Sequence, residues 1–525
     1  MQQSSGLRFL WSLTGLTLAL WFAWPWGSEL FKVPALVLVL SLAFRPAWAA
    51  AWAGSIGRWI SRPKVQRGLT VLMVVQALLW ILLILIRYYS FQVSVFDAGL
   101  HSNILYNLSQ GEPLLSYYGV HFLADHFTPS FGLLSLLYLI TPSIHWLMLA
   151  KGAAFLVCPL IFYRIICALE LPHPKATALV VASYWVLFYN PLVSALEYQF
   201  QPSNLAPPFV LLAILFWLQR RWLGFWLCLV FVLGFKEHMG ALWIGLGAMF
   251  FMKEDRRVLG LGLALGGVLA IYLIMFVAMP YFRLGLPPWS GLERVGPFAD
   301  LLPKAWYLFW LLVPVGFLPL FDWRRALLFM PAVGVNLVSR LPTMYSSHYH
   351  YDDLGATLLL VASLLIWRDR REMILQRWGQ LSLRLRRFLP PLLLALFIVQ
   401  WPQSSLRRIQ HDWPSAQQWA LTEQIQKFTE TYGHPRLAVQ DDLGPHIEQR
   451  NIQVFRQYPE APCDQKFKYP IAPDWEPEYL LLSPAVSSYG IADLPTCLRA
   501  LEASDRFESI EGFEPLLVFK RLEEP

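Results

Sequence analysis

Charged residues are scarce in this chain: Asp, Glu, Lys and Arg make up 15% of its 525 residues, against 56% hydrophobic and 15% aromatic. A soluble enzyme with a large core is thereby excluded, because apolar runs of about 20 residues recur until about Gln400, the length needed to cross a hydrocarbon layer as a helix. Glycine-rich phosphate loops of the Walker type and dinucleotide fingerprints are both missing, so neither ATP-driven transport nor a soluble nucleotide cofactor has support. Cysteine is sparse, with five in all. Cys158, Cys167 and Cys228 fall in apolar runs and read as packing residues, whereas Cys463 and Cys497 lie in a polar C-terminal region, where an exported location would permit a disulfide. The most telling absence is local. From Tyr88 to Ile144 there is no Lys or Arg, yet the stretch carries Asp97, His101, Glu112, His121, Asp125 and His126.

What is present is a polytopic α-helical pattern. Apolar runs propose thirteen spans, at 7–26, 30–46, 68–88, 145–167, 176–192, 204–219, 222–235, 239–252, 257–280, 305–320, 325–340, 353–367 and 388–402. The first run ends in bulky aromatics where a signal-peptide cleavage site would have small residues, so it reads as a retained helix. The net charge of +7 would suggest nucleic acid in a soluble protein. Here the cations sit in short clusters between spans and act as topology signals, with no nucleic-acid partner. The clusters at Arg45–Arg67, Arg164–Lys175, Arg220–Arg221, Lys253–Arg257, Arg324–Arg325 and Arg368–Arg387 all fall on one side if the run Phe131–Ile140 does not cross. At 1.5 Å per residue that run reaches roughly 15 Å, about half a hydrocarbon core, and reads as an interfacial helix. The N-terminus is then cytoplasmic and the cation-free first loop, 88–144, lies outside.

The pair 222–235 and 239–252 reads as a short hairpin whose tip, Lys236-Glu237-His238, would sit below the outer surface in a water-filled or protein-lined cavity; a snorkelling loop is the alternative. From about Ser415 the pattern changes to short alternating elements: a helix at Ala416–Thr431, strands at Arg436–Gln440, Ile452–Phe455 and Tyr479–Ser483, a helix at Leu494–Ala503, then strands at Phe507–Ile510 and Pro515–Lys520. This is a small α/β domain on the outer face. The expected domains are thus 1–67, an N-terminal hairpin with its cytoplasmic loop; 68–402, the membrane core; and 415–525.

Polar residues of the outer loops are the candidates for chemistry. Asp97 and His101 stand one turn apart on an amphipathic helix, so Asp97 reads as a general base or metal ligand, with a helix N-cap as the alternative. His121-Phe-Leu-Ala-Asp125-His126-Phe-Thr-Pro129 places two imidazoles around one carboxylate, a set that could orient a hydroxyl or, with Asp97, hold a divalent ion such as Mg or Mn. Glu197 sits in Glu197-Tyr198-Gln199-Phe200-Gln201-Pro202, among aromatics of the kind that stack on sugar rings or rest in the membrane interface. Lys236, Arg283, Arg294 and Arg340 are cations on the side where cations are disfavoured. Binding an anionic phosphate explains them, as does pairing with Glu293, Asp300 or Asp352. Glu237, His238, His348 and His350 are expected to line a cavity.

Together, Phe96-Asp97-Ala98-Gly99, His126-Phe127-Thr128-Pro129, the Glu197 loop, Lys236-Glu237, His348-Tyr349-His350-Tyr351 and Asp442-Leu443-Gly444-Pro445-His446 resemble a bacterial and archaeal family of predicted membrane proteins of unknown function, itself similar to GT-C glycosyltransferases. The resemblance covers Arg87 to the end of the chain and leaves the first two spans as an added hairpin. Family members carry Lys-Glu-Asp where this chain has His238 as the third residue. The resemblance implies a GT-C-like fold, interfacial helices in the first outer loop, and transfer of a sugar from a polyprenyl-phosphate donor to a glycan, lipid or protein acceptor, with an acid at the position of Asp97. It also implies a bacterial inner membrane. The rival readings are a transporter or lipid flippase and a non-catalytic envelope assembly protein.

Overall fold

The computed structural model describes residues 2–23, 31–44, 62–183, 189–254, 256–283, 298–399, 405–448, 450–455, 475–487 and 493–522, with a few single positions besides. Helices arise where the apolar runs stand. The N-terminal pair is α1 (Gln2–Ala23) and α2 (Lys32–Phe44), and α3 follows at Pro63–Tyr89. After the first long loop come α4 (Leu100–Ser109), within that loop, then α5 (His145–Ala168), α6 (Pro174–Ser183), α7 (Asn190–Glu197) and α8 (Ala206–Leu218). The hairpin halves are α9 (Trp222–Leu233) and α10 (Gly240–Lys253), followed by α11 (Arg257–Leu273) and α12 (Leu301–Leu312). The last of the apolar set are α13 (Met330–Val338), α14 (Asp353–Gln380) and α15 (Leu383–Val399).

Length separates these helices. Pro63–Tyr89, His145–Ala168 and Arg257–Phe282 are long and apolar enough to cross a membrane alone, and Asn190–Glu197 with Pro202–Leu218 makes a fourth path bent by 118°. Others fall short of the proposed spans. The run 325–340 yields, in α13, nine residues, about 14 Å of helix. The run 305–320 breaks after α12, where Pro314 withholds a donor and Gly316 and Phe317 turn left-handed at φ +60° and +56°. Within the run 176–192 the described helices are α6, as far as Ser183, and α7, from Asn190. Phe131–Ile140 forms two single turns, Pro129–Gly132 and Ser135–Tyr138, in keeping with an element too short to cross.

Small residues bring α10 against α11. A Cβ on Gly247 would lie 2.4 Å from the Ala264 nitrogen, and one on Gly260 would lie 2.4 Å from the Phe251 nitrogen, so only glycine permits this approach. Backbone proximity of this kind is how helices associate where lipid removes the hydrophobic drive. At one end of this group charges are cross-linked: Asp322 accepts from Lys253 at 3.1 Å and Arg370 at 2.9 Å, while buried Arg325 clamps Glu254 and, at 2.7 Å, Asp369. Replacing Arg325 by Met leaves carboxylates facing one another, and removing one member of a buried pair costs about 3 kcal/mol or more. A clearly lower melting temperature in detergent is therefore expected for Arg325→Met, with Arg325→Lys intermediate because it keeps charge without the planar fork; an unchanged melt would show that this clamp carries no stability.

The C-terminal region folds as three layers. A short helix, α16 (Ser405–His411), leads to α17 (Ala416–Tyr432), whose N-cap Ser415 and Gln418 form a reciprocal capping box. Strands β3 (Leu437–Val439), β4 (Ile452–Val454), β5 (Tyr479–Leu482), β6 (Phe507–Ile510) and β7 (Leu517–Arg521) assemble in the order β4-β3-β5-β7-β6; β3 pairs in parallel with β4 and β5, and β7 antiparallel with β5 and β6. A two-stranded ribbon in the first loop, β1 (Leu114–Leu115) with β2 (Val120–His121), precedes them in the chain. The period of two along a strand divides the five-stranded sheet's faces. Leu437, Val439 and Leu481 join α17 and the membrane core, whereas Ala438, Leu480 and Leu482 pack under α18 (Leu494–Glu502). Cys497 is disulfide-bonded; Cys463 lies outside the described residues.

Candidate active site at the first long loop

The first loop is shaped around one acid. After α3, Phe91 takes φ +55° and the chain enters a π-turn, Val95–Gly99, that feeds α4. Such wide turns recur at functional sites. Ser94 occupies the N-cap position, so Asp97 stands inside the turn and the capping alternative falls away. Its carboxylate is held by side chains from the bend between α7 and α8: Oδ2 accepts from the Tyr198 hydroxyl at 3.1 Å and Oδ1 from Gln201 Nε2 at 2.5 Å. Lys236 Nζ donates to Gln201 Oε1 at 3.1 Å, fixing which way that amide faces. The bend exists because Tyr198 and Gln201 are extended and Pro202 starts a new turn, capped by Asn204 Oδ1 on the Gln201 N–H at 3.0 Å. Burial pushes the Asp97 carboxyl above its ordinary range, while the Tyr198 hydrogen bond, the Lys236 charge and the Gln201 amide pull it back.

A second polar cluster adjoins the first. His126 Nδ1 lies 3.1 Å and 3.2 Å from the two Glu237 oxygens, and the Phe127 N–H donates to Glu237 Oε2 at 3.4 Å. Arg283 donates to the Ala124 carbonyl and approaches Asp125 Oδ1 at 3.8 Å; Asp125 Oδ2 is 3.9 Å from His126 Nε2. Ser130 straps this segment to the end of α9 through the Gly234 and Phe231 carbonyls, at 2.8 Å and 2.7 Å. The hairpin tip is thereby protein-lined, with Lys236 and Glu237 buried.

Not every candidate joins these clusters. His101 points inward: its Nδ1 donates to the Asp97 carbonyl at 2.5 Å and its ring packs on Phe131 and Phe200, so it braces the π-turn instead of sharing a face with the carboxylate. His121 stacks on Phe282 at 4.1 Å and accepts from the Leu123 N–H, apart from the Asp125–His126 pair. His238 is half-buried on the turn Glu237–Met239. His350 is buried beside Tyr198, ring centres 4.7 Å apart, but His348 is exposed. Arg340 is exposed beyond α13, and Arg294 lies outside the described residues. Glu197 does not face Asp97; it pairs with Arg408, and its carbonyl accepts from Arg87 at 2.5 Å.

Among the described residues no three or more His, Cys, Asp or Glu converge as a metal site. Asp97, Asp125 and His126 do not form one, and the Asp97 oxygens are engaged by neutral donors.

Sequence reasoning passed over Tyr198 and Gln201 as partners of Asp97 and missed Lys151 altogether. Lys151 is fully buried in α5, its Nζ donating to the Tyr198 and Gln199 carbonyls at 2.5 Å and 3.3 Å. An ionisable residue well inside an apolar span was the available signal.

Apolar helices long enough to cross a membrane, a long polar loop with surface-length turns, and a half-buried acid at its start mark a helical membrane protein whose architecture resembles the GT-C fold. The structure superposes on the crystal structure of ArnT from Cupriavidus metallidurans bound to undecaprenyl phosphate, with a TM-score of 0.51 and 12% sequence identity, over 86% of this chain and 98% of that one. At that identity the likeness concerns the fold alone. The chain belongs to the family of predicted membrane proteins DUF2079, which matches residues 87–287 and 295–489. No curated protein matches it.

Proposed function

We propose that the protein is a membrane glycosyltransferase that moves a sugar from a polyprenyl-phosphate donor to a glycan, lipid or protein acceptor at the extracytoplasmic face. The observation that carries this reading is the part-buried Asp97 carboxylate, positioned by Tyr198 and Gln201 with Lys236 behind it. A carboxylate has about four acceptor positions. Two are taken, which leaves capacity for an acceptor hydroxyl. In the step envisaged, Asp97 takes the hydroxyl proton, the acceptor oxygen bonds to the anomeric carbon, and the bond from that carbon to the donor phosphate oxygen breaks, its electron pair leaving with the polyprenyl phosphate. Glu237 and His126 shape the neighbouring wall, with Asp125 and Arg283 beside them. Lys236 and Arg283 are the cations beside these clusters that could offset charge on the departing phosphate. The undecaprenyl phosphate bound to the structural neighbour supports a lipid partner of this kind.

This reading includes a polytopic chain in a bacterial inner membrane, with the N-terminus cytoplasmic and residues 415–525 outside. The test is transfer by the purified full chain in liposomes from a labelled short-chain polyprenyl-phosphate sugar. A glycosylated acceptor is expected; lipid movement between leaflets with no transfer product would replace the enzyme by a flippase. The acid side of the rate profile is informative too. Asp97 must be ionised to accept a proton, and its pKa is raised, so kcat/KM should fall on acidification at a pH above the ordinary carboxylate range. A fall confined to the range of an exposed aspartate would remove Asp97 from that role.

A further inference from the structure

Behind the bend that holds Asp97 lies a cavity of about 220 Å³, walled by α3, α5 and the segment Glu197–Phe200. Ala98, the residue after Asp97, forms part of its surface, and so does Tyr198, whose hydroxyl binds the Asp97 carboxylate. One side is apolar, from Ile84, Val93, Met148 and Phe200. The other carries two groups whose hydrogen-bonding capacity the protein leaves incomplete. Glu197 is 6% exposed; Arg408 engages Oε2, while Oε1 is buried without a partner. Lys151 is fully buried, bonds two carbonyls, and among the described residues has no carboxylate within ion-pair distance, so one of its three N–H donors remains. Arg87 completes the polar wall but is engaged by Asp412 at 2.9 Å.

The two open groups constrain the occupant. The polar wall carries both signs of charge, so neither a free anion nor a free cation finds it uniformly favourable. Neutral hydroxyls suit both groups, since a hydroxyl can donate to the carboxylate or accept from the ammonium. The volume is that of a single sugar ring and the apolar wall matches its C–H face, whereas a lipid chain would find charge on one side. We infer that this cavity is a pocket for a neutral monosaccharide-sized group, held through its hydroxyls by Lys151 and Glu197. The inference rests on the sugar-transfer reading for its place in the reaction, but not for its binding chemistry. The sugar belongs either to a lipid-borne donor or to a free acceptor.

Binding to the full chain in detergent, without turnover, tests it. The probes are methyl glucopyranoside, methyl arabinopyranoside, a short-chain polyprenyl-phosphate glucose and inorganic phosphate. Saturable binding of a free glycoside points to an acceptor subsite, and binding of the lipid-linked sugar alone to a donor subsite; either supports the pocket. Glu197→Gln turns the open acceptor into a donor while keeping shape and is expected to weaken binding about tenfold or more. Met148→Trp fills the space from the apolar side and should abolish it. No sugar binding, binding of phosphate alone, or sugar binding indifferent to both variants would overturn the pocket. Sugar binding with no transfer under any condition would leave the pocket standing and remove the transferase; transfer undiminished in Met148→Trp would do the reverse.

Discussion

Asp97→Asn is expected to lower sugar transfer by about 10²–10⁴-fold, the usual contribution of a positioned general base, while leaving the fold intact. Asn keeps the shape of the site. Its carbonyl can take the Gln201 bond, and the Tyr198 hydroxyl can turn from donor to acceptor. What disappears is a negative charge that burial disfavours. Because the folded carboxyl is raised above its unfolded value, Asp97 contributes most to stability below the unfolded pKa, and that contribution is lost as pH rises through the folded one. The variant should therefore melt no lower than the parent at neutral and alkaline pH, and the gap should close on acidification. Steady-state transfer and thermal melts across pH give both quantities. Full activity in a well-folded Asp97→Asn protein would end the proposed mechanism.

Gly444→Val should abolish transfer without touching any reacting group. Gly444 opens the turn Gly444–His446, and a Cβ there would stand 2.3 Å from Val95 Cγ2 and 2.8 Å from the Tyr117 hydroxyl. Around it the C-terminal unit is seated on the π-turn of Asp97. The Val95 N–H donates to the Asp441 carbonyl at 3.1 Å, Ser102 Oγ to Glu448 Oε1 at 2.7 Å, and the His446 ring lies between Tyr88 and Phe91, each about 4 Å away. Overpacking costs about 1–3 kcal/mol, here concentrated on one joint. Limited proteolysis should release the C-terminal unit more readily than from the parent. Gly262→Ala, whose added carbon would meet nothing within 4 Å, serves as the control. Parental turnover in Gly444→Val would show that docking and chemistry are independent.

The elements that sequence made legible are those with a repeating pattern. The alternation around 437–439, 452–454 and 479–482 is strand, and the runs 222–235 and 239–252 are two helices with a tip between them. The site was legible only in part because its geometry depends on contacts distant in sequence. An α-helical count puts Asp97 and His101 on one face, but the π-turn inserts an extra residue per turn and sends His101 to the Asp97 carbonyl. Tyr198 and Gln201 meet Asp97 only because the chain bends by 118° between Glu197 and Pro202, and no periodicity announces where such a bend will point. Arg325 marked a loop in the sequence; in the fold it is a clamp between helices, since charge composition reports sidedness and not partners.

In open α/β sheets ligands gather beyond the carboxyl ends of parallel strands. The end of β3 is already occupied: Asp441 to Ile447 leave that edge and lodge against Val95, Tyr117 and the rings of Tyr88 and Phe91. The soluble-looking appendage has therefore traded its customary recognition rim for a keystone's part, and any chain ending before residue 415 would leave those aromatic faces bare to water.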